Sequence, residues 1–222
     1  MENLQEIISK ESARIGSMFS YWNDTMEHQV EFWQLSDGID IHTESHCKRV
    51  LLLALKLGES RQLFLRWVIA LCHASIFHDT RRKDNYLDQG HGDRAADYYK
   101  DYCEKFKMKF LPEAFAIIKF HDRDDALGEE YIRKEAPEDE VEGWLEAYRD
   151  FKDADALDRF RLGPWGLNEE FLRSDESRNL VSYAKELVAA TIDEQTMKAT
   201  MEVTRKFAEQ LSGKPASFFI EK

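Results

Sequence analysis

The chain has 222 residues, enough for one generous domain or two cramped ones, and its 43% hydrophobic and 33% charged content supports a real core. Ten Gly and four Pro are too few for a turn-rich all-β design. With 31 Lys plus Arg against 43 Asp plus Glu, the formal charge is −12, which argues against nucleic acid or an anionic membrane as a partner, because both demand a basic footprint. A small phosphorylated ligand needs only a local positive centre, and a metal can supply one.

The three cysteines, Cys47, Cys72 and Cys103, are scattered and lack the CxxC spacing of a zinc knuckle or a disulfide framework. The segment MENLQEIISK lacks the basic-then-apolar build of a signal peptide. The most apolar stretch, Trp67 to Phe77, is about half the ~20 residues a membrane span requires. A soluble, reducing, cytoplasmic setting is expected.

Helical periodicity dominates the chain. Residues 3–34 carry Leu4, Ile7, Ile8, Ile15, Met18, Phe19, Trp22, Met26, Val30 and Trp33, mostly at three- and four-residue steps, which predicts one long helix. Asp37-Gly38 reads as a turn. A second helix is expected over 42–57, ended by Gly58. Ser60 is placed as N-cap of a third, which runs to about His78 and is apolar around most of its later circumference. Residues 79–90 read as a loop closed by Gly90, followed by a helix over 91–106. Pro112 suits the first turn of a short helix ending near His121. Residues 122–140 read as a polar loop: from Asp122 to Asp158 there are 15 acidic and 5 basic residues, and most of this run is expected to be solvated surface. Helices are expected at 141–161, 168–174 and 176–211, with Asp193 a break or cap in the last. No repeat, linker or run of strands interrupts this pattern, so the expectation is a single all-α domain over 1–222.

Seven histidines occur, at 28, 42, 46, 73, 78, 91 and 121. His78-Asp79 closes the apolar run Ala70-Leu-Cys-His-Ala-Ser-Ile-Phe. Burying an ionisable pair there is costly without compensation, which is either an ordinary His–Asp hydrogen bond at a helix end or a divalent cation. His42 and His46 are one turn apart and share a helix face. Asp153, Asp155 and Asp158 lie in one helix, with Asp155 close to the apolar stripe. His73, five residues before His78, is rotated about 140° from it and points elsewhere into the core. His28 sits in a surface setting. Phe19, Trp22, Phe32 and Trp33 read as core rather than as a base-stacking platform.

The order His … His-Asp … His … His … Asp resembles the HD-domain superfamily of metal-dependent phosphohydrolases. The segments that carry the resemblance are HCKRV at 46–50, IFHDTRRKD at 76–84, LDQGHGDRAADYY at 87–99, IIKFHD at 117–122 and DADALDRFRLG at 153–163. They span over half the chain, with the motif-bearing core at about 42–163. The resemblance implies an all-α bundle with a metal site in its core. It implies His46, His78, Asp79 and Asp155 as ligands of a first ion, with Asp79 bridging to a second held by His91 and His121. Many members with two metals carry a second His where this chain has Asp122. Asp153 rivals Asp155, but the Ala-Asp-x-Leu pattern fits Asp155 better.

The implied activity is hydrolysis of a small phosphate ester or nucleotide by metal-activated water, with two divalent ions and no Ser or Cys nucleophile. Arg82 and Lys119 are the expected phosphate anchors, with Arg81, Arg94 and Arg159 as alternatives. His42 is expected to touch substrate, act as general acid to the leaving group, or line the pocket. The same ligands would serve a di-iron oxygenase of the same fold, and the fold also occurs in ligand-sensing modules without catalysis. No Gly-Tyr-Pro follows the cluster, which disfavours the branch that cleaves cyclic dinucleotides.

Overall fold

A computed structural model describes residues 4–35, 41–85 and 88–212; the expected turn at Asp37-Gly38 lies outside them. Among the described residues there is no strand, and no helix is long and apolar enough to cross a membrane. The fold is all-helical, as the periodicity requires.

The expected N-terminal helix is broken in two. α1 (Leu4–Ser9) stops short, and α2 (Ala13–Gln29) restarts where the Ser12 hydroxyl accepts from the Ile15 amide at 3.2 Å. Phe19 and Trp22 are buried as expected, but Trp33 is 43% exposed and lies beside the guanidiniums of Arg81 and Arg94. α3 (Glu44–Ser60) runs through Gly58, which is buried and does not end it. The next helix, α4 (Leu65–Phe77), therefore starts five residues after Ser60, with Phe64 in the N-cap position. From Trp67 to Phe77 every residue of α4 except Ile69 is buried, because it packs against α2, α3 and three later helices. Each large apolar side chain so buried contributes about 1.5–3 kcal/mol relative to exposure.

α5 (His91–Phe106) follows Gly90, whose φ of +84° suits glycine, and ends at Lys107 in the same left-handed region. α6 (Pro112–Phe120) has Pro112 in its first turn and packs on α5. Their approach depends on Gly92: a Cβ there would lie 2.7–2.9 Å from Asp122 Oδ1 and the carbonyl oxygens of Lys119 and Ile118.

The acidic stretch 122–140 is not all loop. α7 (Asp125–Glu135) forms within it, capped by Asp124, whose carboxylate accepts from the Ala126 amide at 2.9 Å. Only Gly128 and Ile132 of α7 are buried, so a charged, thinly anchored helix looks like surface by composition. α8 (Val141–Leu157) tightens into a 3-10 turn over Asp158–Leu162. The expected helix at 168–174 reduces to a 3-10 turn, Glu169–Phe171. The last segment divides into α9 (Asp175–Asn179), α10 (Val181–Thr191) and α11 (Glu194–Ser212). Asp193 makes the break, its carboxylate accepting from the Thr196 amide at 2.9 Å.

Candidate metal centre

Five helices bring their ends to one point. α4 and α6 deliver His78 and His121 at their C-terminal caps, and Asp79 follows His78 directly. α3 and α5 deliver His46 and His91 from their first turns, and α8 delivers Asp155 from its last. His42 lies just ahead of α3, rather than on it as expected, and still reaches the cluster.

Asp79 stands at the middle. Its Oδ2 is 3.5 Å from His46 Nε2, 3.8 Å from His78 Nε2 and 3.2 Å from His42 Nδ1. Its Oδ1 is 3.0 Å from His91 Nε2 and 3.5 Å from His121 Nε2. Asp155 Oδ1 is 3.2 Å from His46 Nε2 and 4.0 Å from His78 Nε2. The donor atoms fall into three triads, each within 4.8 Å: His42, His46 and Asp79; His46, His78 and Asp155; Asp79, His91 and His121.

The protonation pattern suits this arrangement to a cation. His91 Nδ1 donates to the Asp88 carbonyl and His121 Nδ1 to the Ile118 carbonyl, both at 2.7 Å. His78 Nδ1 faces the Ala74 and Ser75 carbonyls at 3.2 and 3.1 Å, and His46 Nδ1 donates to Asp158 Oδ2 at 2.7 Å. Carbonyls and carboxylates only accept, so each Nδ1 carries the proton and each Nε2 presents a bare lone pair. Yet His46 Nε2 lies 3.1 Å from His78 Nε2, and His91 Nε2 lies 2.8 Å from His121 Nε2. Facing lone pairs at that distance repel unless something positive lies between them. These buried groups could hold a metal ion, and the donor set, imidazole nitrogen with carboxylate oxygen, suits a borderline divalent one.

The electrostatics follow from burial and neighbours. Burial pushes the Asp79 carboxyl up, but the Arg82 guanidinium above all, with the imidazoles of His78, His121 and His42 around it, holds it well below its usual range. Asp155 is held well below its range against burial by His46 above all. Burial drives His42 well down and His78 down to about 3. His121 goes the other way, because Asp79 outweighs the effect of burial.

Around the cluster, Arg82 is buried beside it, with Nη1 3.7 Å from Asp79 Oδ1 and 3.2 Å from His91 Nε2. Lys119 is not brought into the cluster: its ammonium is paired with Asp93 at 2.7 Å. Of the alternatives, Arg81 reaches the Glu31 carbonyl and the Tyr98 ring, Arg94 pairs with Asp88, and Arg159 bonds the Gly166 carbonyl. Asp122 is outside the three triads and braces His91, 3.4 Å from its Nδ1, while accepting from the Gly90 and Gly92 amides. Asp153 faces away, fully buried against Arg173 and Ser174, which leaves Asp155 as the aspartate at the cluster. His73 bonds the Tyr99 hydroxyl at 2.8 Å, and His28 is exposed.

Three supporting residues were not anticipated. Asp158, wholly buried, takes the His46 Nδ1 proton and accepts from Arg49 Nε at 2.6 Å and Nη2 at 3.1 Å. Arg161 donates from Nε to the Ile41 carbonyl, places Nη2 3.0 Å from His42 Nδ1, and sets Nη1 3.5 Å from Asp158. The available signals were Asp158 one turn after Asp155 and Arg49 one turn after His46, both on faces shared with site residues.

A scan against protein-family models, a search of curated proteins and a search of solved structures each found no match. What stands without analogy is an all-helical protein with a buried His/Asp cluster in its core that could hold metal.

Proposed function

We propose that this chain is a metal-dependent phosphohydrolase of the HD-domain class, cleaving a small phosphate ester or nucleotide with metal-activated water. The observation that carries the reading is the divided use of Asp79: one oxygen turned to His46 and His78, the other to His91 and His121. A carboxylate so placed suits a bridge between two ions, the first held also by Asp155. Bound divalent cations would lower the pKa of water and neutralise phosphoryl oxygens, the two requirements for in-line attack near neutral pH.

The chain's own groups supply the rest. Arg82, beside Asp79, offers a planar N–H fork to phosphate oxygens. His42 Nδ1 faces Asp79 Oδ2 and Arg161 Nη2, and one protonation state cannot serve both. The Arg161 contact favours a bare Nδ1 and a proton on Nε2, from which a neutral His42 would offer a hydrogen bond, not a proton, to a substrate oxygen. His46, His78, His91 and His121 hold fixed lone pairs because each Nδ1 is tethered.

The test is metal content by plasma mass spectrometry on chain purified without chelator or His tag, followed by a phosphate-release panel run beside an oxygen-uptake assay. Bound metal with phosphate release is expected. Failure to bind Mn, Fe, Co or Zn would overturn the reading. Iron with oxygen uptake and no phosphate release would replace it with an oxidative one.

A further inference from the structure

Resting on that hydrolytic reading, we infer that the site selects a doubly charged terminal phosphate, the phosphomonoester class, over a singly charged phosphodiester. Three carboxylates and three guanidiniums meet at the centre. Arg49 and Arg161 face Asp158 at 2.6 and 3.5 Å, Arg82 faces Asp79 at 3.7 Å, and Asp155 faces His46 at 3.2 Å. The next pair outward, Asp122 with Arg123 at 3.3 Å, cancels as well. With the imidazoles neutral, as ligation of a cation requires, the protein's own charges at the centre sum to zero.

All six side chains are buried except Asp155, whose carboxylate is 28% exposed. Each divalent cation taken up therefore adds two positive charges to a region from which water is nearly excluded, where unbalanced charge is costly. With the two cations of that reading and one hydroxide on them, a dianion leaves less net charge there than a monoanion. A phosphomonoester is a dianion at pH 8, since its second pKa is about 6. A diester keeps a single charge. Geometry points the same way: Arg82 lies on the Oδ1 side of Asp79, its Nη1 3.7 Å from that oxygen, so a guanidinium stands on that flank of the centre where unesterified phosphate oxygens would be met.

The test uses the metal-loaded full chain at pH 8. Inorganic phosphate and dimethyl phosphate are compared by calorimetric titration, and p-nitrophenyl phosphate is compared with bis(p-nitrophenyl) phosphate by rate, the two esters sharing a leaving group. Phosphate should bind at least about ten-fold tighter than dimethyl phosphate, the scale of one charge in a partly screened site. The monoester should have the higher kcat/KM, and Arg82→Gln should shrink the binding preference with metal content unchanged. Equal binding of the two anions by the wild-type chain, or cleavage of the diester as fast as the monoester, would overturn the inference whatever the variant does. Phosphate preference with cleavage of neither ester would sustain charge selection while removing the hydrolytic reading.

Discussion

Asp158→Ala probes the support of the centre without touching the cluster's carboxylates. The carboxylate accepts two bonds from Arg49 and one from His46, and both partners are buried. Burial raises the Asp158 carboxyl, but the Arg49 charge and the His46 hydrogen bond outweigh it and hold the group down to about 2. Removing it strands the Arg49 charge, which for a buried pair costs about 3–5 kcal/mol. For a chain of this length that lowers the melting temperature by roughly 6–20 °C, out of a total stability of about 5–15 kcal/mol. Asp158→Asn keeps the volume, and although it too leaves Arg49 without a counter-charge, it bears on the second effect: His46 Nδ1 loses its charged acceptor, and metal affinity should fall about 10–100-fold. Thermal and urea unfolding of the metal-free chain measures the first effect, and metal titration by calorimetry the second. An Asp158→Ala variant within about 1 kcal/mol of wild type, or an Asp158→Asn variant with unchanged metal affinity, would refute the reasoning.

Three further outcomes are expected. Burial pushes His73 down to about 4 from 6.5, so the unfolded chain binds the extra proton between those values and stability falls as pH drops through that window. His73→Asn should therefore lose about 2.5 kcal/mol less than wild type between pH 7 and pH 4.5 in urea titrations, and an identical loss would show that His73 is not the group responsible. Gly92→Ala places a Cβ against two carbonyl oxygens and Asp122, forcing α5 from α6; unfolding should show a cost of about 1–3 kcal/mol together with weaker metal binding, and an unchanged melting temperature would contradict the close approach. Asp79→Asn should abolish metal binding at both halves of the cluster, while His121→Ala should spare the half formed by His46, His78 and Asp155. Equal metal content in the two variants would refute the shared role of Asp79.

The all-helical architecture was legible because apolar spacing is a local property, and each helix around the centre has a wide buried face. In the cluster, only the His78-Asp79 pair stood out on its own residues, because it ends a run too apolar to tolerate ionisable groups at random; His46, His91, His121 and Asp155 were implied by the resemblance in motif order. What escaped was set by distance or by disguise. Asp158 and Arg49 meet across 109 residues, and no local pattern announces that pairing. Helix α7 was hidden by its charge, because burying only Gly128 and Ile132 leaves almost no apolar stripe. At Gly58 the expectation of a stop failed because a buried helix interior accepts glycine: a Cβ there would sit 3.1 Å from Val68, so the neighbouring helix occupies the space a side chain would need.

The paired imidazoles have a consequence for how the centre fills. Between His91 and His121 a proton can occupy the position that a metal would share, and Asp79 raises the proton affinity of His121 against the effect of burial. Capture of an ion there would be an exchange reaction that expels hydrogen ions, and acidification would run it backwards. The ambient pH would thus act as a valve on occupancy of the centre.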